Sequence, residues 1–383
     1  MGFLTKKLAS QPITPELAAI KKELTKKSRP TIHENKLNAV EHELFEYIHR
    51  ETKKRNVNNV TRTNAYLEFY MRFPEIHWAF LGHMVSRNGG WNMTDLKGSL
   101  LSRLLSEEEK EDFFTFLERG NWLIFQDIYP QLLLYEESVK RNTNLFYLLP
   151  LFHVSFFMRV VWDYFYQIKD RYLLTAALIV NEQSYLEKRV IQNPYYQSTV
   201  LETLEYKLHE LLDLNQIIFP SIDEKEIRII GQTIHQFASL HNRILLGKRL
   251  YQLLFDKENY LSIYKWAIQH PHTGSRKDFW PHLFNDLDES VPGGSYQRRI
   301  KSCCIKPNAP KLYSPILKFA WNNIEQKEAE KGDWYLNWKV VHYLKMDMFK
   351  GNGAIYHEYC KTLEKIEFSI LAKEALLPKK SQN

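Results

Sequence analysis

Cysteine is nearly missing from this chain: three in 383 residues, two of them adjacent at Cys303 and Cys304. A disulfide framework is therefore not expected, and a reducing compartment is the better reading. A zinc site can be written from Cys303, Cys304, His357 and Cys360. Vicinal cysteines chelate poorly and no C-x-x-C pair exists, so no metal and no cofactor is expected. Glycine and proline are scarce, at 14 and 15. Strand-rich folds need many tight turns, so this scarcity predicts long helices. No apolar run is long enough to cross a membrane. The most apolar, Leu145 to Val161, is broken by Pro150, His153 and Arg159, where a spanning helix needs about 20 apolar residues. Residues Met1 to Arg29 are rich in lysine and carry no run of signal-peptide length. Three catalytic signatures are also missing: H-E-x-x-H, G-x-x-x-x-G-K-[ST] and G-x-S-x-G.

What is present is apolar and aromatic. Hydrophobic residues make up 44%, which excludes wholesale disorder. The net charge of +7 sets 52 basic against 45 acidic residues. That balance permits loose attraction to anions and establishes no partner. The abundant aromatics fall mostly at helical core spacing, so nucleic-acid binding is not expected.

A helix is predicted over Glu34 to Lys54. Its Glu46-x-x-His49 has di-iron spacing but no second copy, and reads as a solvated face. Thr61 or Thr63 can cap the next helix, and Pro74 fits the start of another. The pattern from Glu75 to Arg87 is apolar nearly all round, a buried helix, which Gly89-Gly90 should end. Asn92 with Asp95 then resembles a capping box opening a helix along Met93, Leu96, Leu100 and Leu104. Ser106 to Glu109 is a stronger box, for a helix stopping at Gly120, and Asn121 can cap the next, kinked at Pro130. Helices follow around Leu145 to Tyr166, from Arg171 to about Ile191 and, after Asn193-Pro194, from Tyr195 to Leu214. Asp223 to Glu226 opens another, toward Phe255. No alternating strand run is evident. The expected fold is all-α, a large bundle-like domain without substantial sheet. Residues 1–33 form a basic arm and 34–270 the main helical domain. Residues 271–313 are an irregular basic loop region and 314–383 C-terminal helices.

The stretches NVTRTNAYLEFY, PEIHWAFLGHMVSRNGGWNMTDLKG and RGNWLIFQDIYPQLLLYE together resemble a family of Bacillus-type bacteria known only as a domain of unknown function. The resemblance covers residues 56 to 330. It implies a cytoplasmic bacterial protein with no established activity, and it supplies no catalytic residues.

The candidate site therefore rests on the residues themselves. His83 and Arg87 share one helical face, ahead of Asn88-Gly89-Gly90, and could hold an anion through the arginine fork and backbone N–H groups. A helix C-terminus is the wrong end of the dipole for that. The alternative is a buried cluster in which Arg87 or Arg62 pairs with Glu75 or Asp95. His77 and His83 are acid–base candidates, but they diverge by about 120° on the helix and cannot share a metal. His272, Ser275 and Arg276, in HPHTGSR, form a secondary candidate, with a polar turn as the default. Function is thus unassigned, with a non-catalytic interaction or structural protein favoured. The second hypothesis is a hydrolase or transferase acting on a phosphate-bearing or other anionic substrate at a centre of Arg62, His83, Arg87 and Asn88, with Asp95 a further binding candidate. Partners to consider are an anionic small molecule or a protein.

Overall fold

Side-chain caps set most of the helix starts. In the computed structural model, which describes residues 12–26, 32–203, 216–223, 226–233, 236–291, 294–346, 351 and 353–376, the helices begin with α1 (Pro15–Leu24), α2 (Ala39–Arg55), α3 (Asn59–Arg72), α4 (His77–Asp95), α5 (Leu101–Leu104) and α6 (Glu107–Lys140). Asn38 with Glu41, Asn58 with Thr61 and Ser106 with Glu109 form reciprocal capping boxes for α2, α3 and α6. Each box satisfies backbone N–H groups that the first turn leaves without a helical partner. The cap of α3 is thus Asn58, with Thr61, the third residue of the helix, as its partner rather than the cap itself.

The chain continues through a 3₁₀ stretch (Phe146–Phe152) into α7 (Phe156–Ile168) and α8 (Arg171–Leu186). Pro150 lies within the 3₁₀ turn, and His153 takes a left-handed conformation at φ 58° before Ser155 caps α7. The apolar run from Leu145 is therefore two elements, as its interruptions predict. A π-helical turn (Glu187–Ile191) extends α8, and Asn193 caps the short α9 (Pro194–Tyr196). The remainder of the helix expected to reach Leu214, including His209 and Glu210, lies outside the described residues from 204 onward.

Three expectations are corrected. The helix through Gly89 and Gly90 does not end there but runs on to Asp95, so Asn92 and Asp95 lie inside it instead of opening a new one. A glycine within a helix costs about 1 kcal/mol relative to alanine, which long-range contacts at this position outweigh. Likewise α6 does not stop at Gly120. It is one helix of 34 residues containing Gly120, Asn121 and Pro130, and Asn121 donates to the Leu117 carbonyl a turn earlier instead of capping. Third, the segment expected to open a helix at Asp223 is an antiparallel hairpin of β1 (Gln216–Asp223) and β2 (Glu226–Thr233). The fold is therefore predominantly helical with small sheets, not all-α. The stretches QIIFPSI and IRII are rich in β-branched residues, which suit a pleated strand. Ile218 to Ser221 of β1 are all buried, so that strand shows no polar–apolar alternation.

After the hairpin come α10 (Leu240–Leu254) and α11 (Tyr260–Gln269). The segment from His270 to Tyr313 is irregular, with only the two-residue strands β3 (Phe284–Asn285), β4 (Ile300–Lys301), β5 (Cys304–Ile305) and β6 (Leu312–Tyr313). The short α12 (Leu317–Ala320), a 3₁₀ turn (Trp338–Leu344) and α13 (Tyr356–Leu376) complete the described chain. No helix among the described residues is long and apolar enough to cross a membrane.

The core surrounds α4, whose Trp78, Phe80, Met84 and Trp91 are all buried. Burying one such side chain stabilises a fold by about 1.5–3 kcal/mol. Near the C-terminus the expectation of unpaired thiols is also corrected. Cys303, at the β4–β5 turn, forms a disulfide with Cys360 of α13, the Cα atoms 5.4 Å apart, while Cys304 is free and exposed. Docking of α13 brings together two cysteines 57 positions apart, a proximity that spacing does not reveal. His357 is exposed, and no zinc set forms from these residues.

Candidate functional site

The polar groups of α3 and α4 are resolved into separate buried clusters. Arg62, 1% exposed, meets Glu118 of α6 at 2.5 Å and donates to Asn56 Oδ1 at 3.2 Å. Burial raises the Glu118 pKa, with Arg62 opposing it. Asp95 takes a bidentate pair from Arg276, Nε to Oδ1 at 2.9 Å and NH2 to Oδ2 at 2.6 Å. Arg276 also donates to the Tyr359 hydroxyl at 2.7 Å. Ser275 donates to the Ser314 carbonyl at 2.5 Å. Glu75 accepts from the Tyr135 hydroxyl at 2.7 Å. Neither Asp95 nor Glu75 is thus the partner of Arg87.

Arg87 is fully buried. Its guanidinium lies 4.3 Å from the centre of the Trp266 ring, donates to the His270 carbonyl at 2.6 Å and stands 3.9 Å from Asp278 Oδ2. Burial lowers its pKa to about 10, with Asp278 opposing. His83 donates from Nδ1 to the Thr63 carbonyl at 2.8 Å, which leaves Nε2 as an acceptor 3.5 Å from Arg87 NH1. Burial, and then Arg87, hold the His83 pKa well below its usual value, so this imidazole is neutral.

Asn59 organises a further group. It donates to the Ser86 carbonyl at 2.8 Å and accepts from His272 Nε2 at 2.8 Å. His272 Nδ1 then faces Asp278 Oδ2 at 3.5 Å. Burial lowers the His272 pKa against the pull of Asp278. Burial acts to raise the Asp278 pKa, but His272, Arg87 and the Thr273 amide outweigh it and hold it low. This arrangement explains the glycine at 90. A Cβ there would lie 2.3 Å from Asn59 Oδ1 and 2.5 Å from His272 Nε2, so only glycine admits the hydrogen bond against the helix.

His77 is apart from all of these, half-buried, stacked on Phe255 at 3.9 Å and hydrogen-bonded to the Tyr251 hydroxyl at 2.9 Å. Burial lowers its pKa to about 4. Asn88 donates to the Ile218 carbonyl and accepts from the Ile218 amide, both at 2.9 Å. Among the candidates, then, Arg87 and His83 are in direct contact, and Asp278 links Arg87 to His272. Arg62, His77, Asn88 and Asp95 each belong elsewhere. Among the described residues the metal-capable side chains that converge are Glu34, His42 and Glu46, all exposed.

A different site emerges from the packing. Helices α3, α4, α6, α8 and α10 line a half-open cavity of about 240 Å³ with a largely apolar wall, including Trp78, Phe116, Ile124, Phe237 and Leu246. Four glycines line it: Gly82, Gly89, Gly120 and Gly247. At Gly120 an added Cβ would meet no atom within 4 Å. Into this wall α8 sets Glu182, which accepts from Trp78 Nε1 at 3.1 Å and from Gln183 Nε2 at 3.1 Å. Among the described residues no ion pair reaches its carboxyl. Burial raises its pKa to about 8, so the group is mostly protonated at neutral pH. The two guanidiniums of the lining are already engaged, Arg62 with Glu118 and Arg243 with Glu187. Sequence reasoning missed Glu182. The available signal was Asn181-Glu-Gln183 closing the otherwise apolar run LLTAALIV. A larger cleft of about 600 Å³, bounded by Arg189, Trp334 and Trp338, has Glu187, Glu330 and Asp333 in its lining, of which Glu187 is paired with Arg243 and the other two are exposed.

The chain is 45% identical over 313 residues to the uncharacterised protein YppC of Bacillus subtilis (strain 168), an alignment covering 77% of this chain and 92% of that relative. No solved structure matches it. A family model described as a protein of unknown function (DUF2515) matches residues 54–357, and the chain belongs to that family.

Proposed function

We propose that this is a non-catalytic binding protein whose helical scaffold presents the α3–α4–α6–α8–α10 cavity to a mostly apolar small molecule. The observation that carries this reading is Glu182, a carboxyl without an ionic partner among the described residues, set in an apolar, glycine-lined cavity. Ligand sites combine apolar walls with a few placed polar groups, and a perturbed carboxyl in such a wall marks a candidate site. On this reading His83, Arg87 and Asn88 are the internal scaffold that fixes α4. Their hydrogen bonds go to Thr63, His270 and Ile218.

The main helical unit at 34–270 would carry 271–313 and 314–383 as docked segments, Arg276 bridging Asp95 and Tyr359.

Gly120→Leu tests the reading, because its side chain has open space to enter. Calorimetric titration with neopentylbenzene should show saturable binding to the parent protein and at least a tenfold loss in Gly120→Leu, with circular dichroism unchanged. Equal binding by the two proteins, or binding by the parent of neither this hydrocarbon nor its trimethylammonium isostere, would overturn the proposal.

A further inference from the structure

We infer that the cavity's occupant is a lipophilic organic cation, whose ammonium group sits against Glu182 and whose entry displaces that carboxyl's proton. The inference rests on the cavity reading above and deepens it.

The argument begins with which charge the wall can accept. Glu182 is the lining's carboxyl without a cationic partner among the described residues, and its hydrogen bonds come from the neutral Trp78 indole and Gln183 amide. An anionic ligand would find both guanidiniums of the wall already held by carboxylates and would face Glu182 itself. A neutral ligand would leave the carboxyl as it is. A cation supplies what the site lacks, since a buried charge is tolerated when it is paired.

The rest of the wall suits the same chemistry. Tyr66 and Trp78 meet edge to face at 5.2 Å, and Phe116 and Phe237 lie 6.3 Å apart on the same lining. Aromatic faces attract an alkylammonium head through their quadrupoles while packing its apolar body. The volume of about 240 Å³ admits one ring bearing a small quaternary or tertiary amine.

Entry of a quaternary cation into a site with a protonated carboxyl is balanced by loss of one proton. The Glu182 O–H bond breaks, the proton goes to solvent buffer, and the carboxylate pairs with the cation. No net charge is added to the interior. The charged and titratable groups facing Glu182 are few. Tyr66 and Arg62 come from α3 and Arg243 from α10, the two arginines neutralised by Glu118 and Glu187. Asp127 of α6 adds a repulsive negative field, which also favours a cation.

The test compares benzyltrimethylammonium with neopentylbenzene, its neutral carbon isostere, by titration calorimetry near pH 7 in two buffers of different ionisation heat. The cation should bind, release close to one proton per ligand, and bind more tightly as pH rises toward 8. Glu182→Gln should weaken the cation at least tenfold and leave neopentylbenzene unchanged, so the neutral ligand also reports that the variant is folded. If Glu182→Gln does not fold, proton release by the parent protein decides alone. Binding of the neutral isostere without the cation, or cation binding without proton release, overturns this inference and leaves the cavity reading standing. Binding of neither removes both.

Discussion

Asn88 holds Ile218 as a strand neighbour would: its side-chain amide donates to the Ile218 carbonyl and accepts from the Ile218 amide, each at 2.9 Å. The helix at the centre of the fold is thereby joined to the β1–β2 hairpin, and the backbone of Ile218 is satisfied on the side that β2 does not reach.

Replacing Asn88 with alanine leaves a buried donor and a buried acceptor without partners. Each such group costs about 1–3 kcal/mol, so a loss of about 2–6 kcal/mol is expected. Denaturant unfolding gives the loss, and hydrogen exchange at the Ile218 amide should accelerate in Asn88→Ala. An Ile218 amide as protected as in the parent would contradict this role.

Arg87→Met keeps the length of the side chain but removes the charge next to Asp278 and the donor to the His270 carbonyl. Breaking a buried pair costs about 3–5 kcal/mol. The unfolding midpoint in denaturant should fall accordingly. An unchanged or raised midpoint would mean that Arg87 is not a structural partner, and would return His83, Arg87 and Asn88 to consideration as a ligand site.

Glu182 and Asp127 both have pKa values raised by burial, to about 8 and about 7. A carboxyl whose folded pKa lies above its unfolded value contributes stability that is fully present below the unfolded value and is lost as pH rises through the folded one. The parent protein should therefore become less stable between about pH 4.5 and pH 8, with no further loss from these groups above that range. Glu182→Gln should flatten the upper part of that slope. Melting temperatures recorded across the interval check it, and parallel curves for parent and variant would exclude Glu182 as the source.

The Cys303–Cys360 bond joins positions 57 apart. Loop-closure entropy for that length corresponds to about 4 kcal/mol as an upper figure. Cys360→Ser should be less stable than the parent under oxidising conditions by up to that amount and equal to it in excess reductant. A variant as stable as the oxidised parent would show that the bond contributes nothing to the native state.

Local chemistry in the sequence determined much of the helical framework. Ser106 with Glu109, Pro194 after Asn193 and the interruptions at Pro150 and His153 act within a few residues, so their consequences can be read without the fold. The apolar character of Glu75 to Arg87 likewise announced a buried helix, and the quoted motifs pointed to the family that the comparison with known families bears out.

Tertiary structure decided the rest. Gly89 and Gly90 signal a helix end only if nothing occupies the missing Cβ. Here the space at Gly90 is filled by Asn59 and by His272, which is 213 positions from Asn59. The sequence around Asp223 reads as a helix start, and only the pairing of β1 with β2 and the packing of β1 on α11 and α4 make it a hairpin. The partners of Arg62, Arg87 and Asp95 proved to be Glu118, Asp278 and Arg276, all distant in sequence. Charge pairing depends on which side chains the packing desolvates together, and the same packing leaves the Glu182 carboxyl in its cavity without an ionic partner among the described residues.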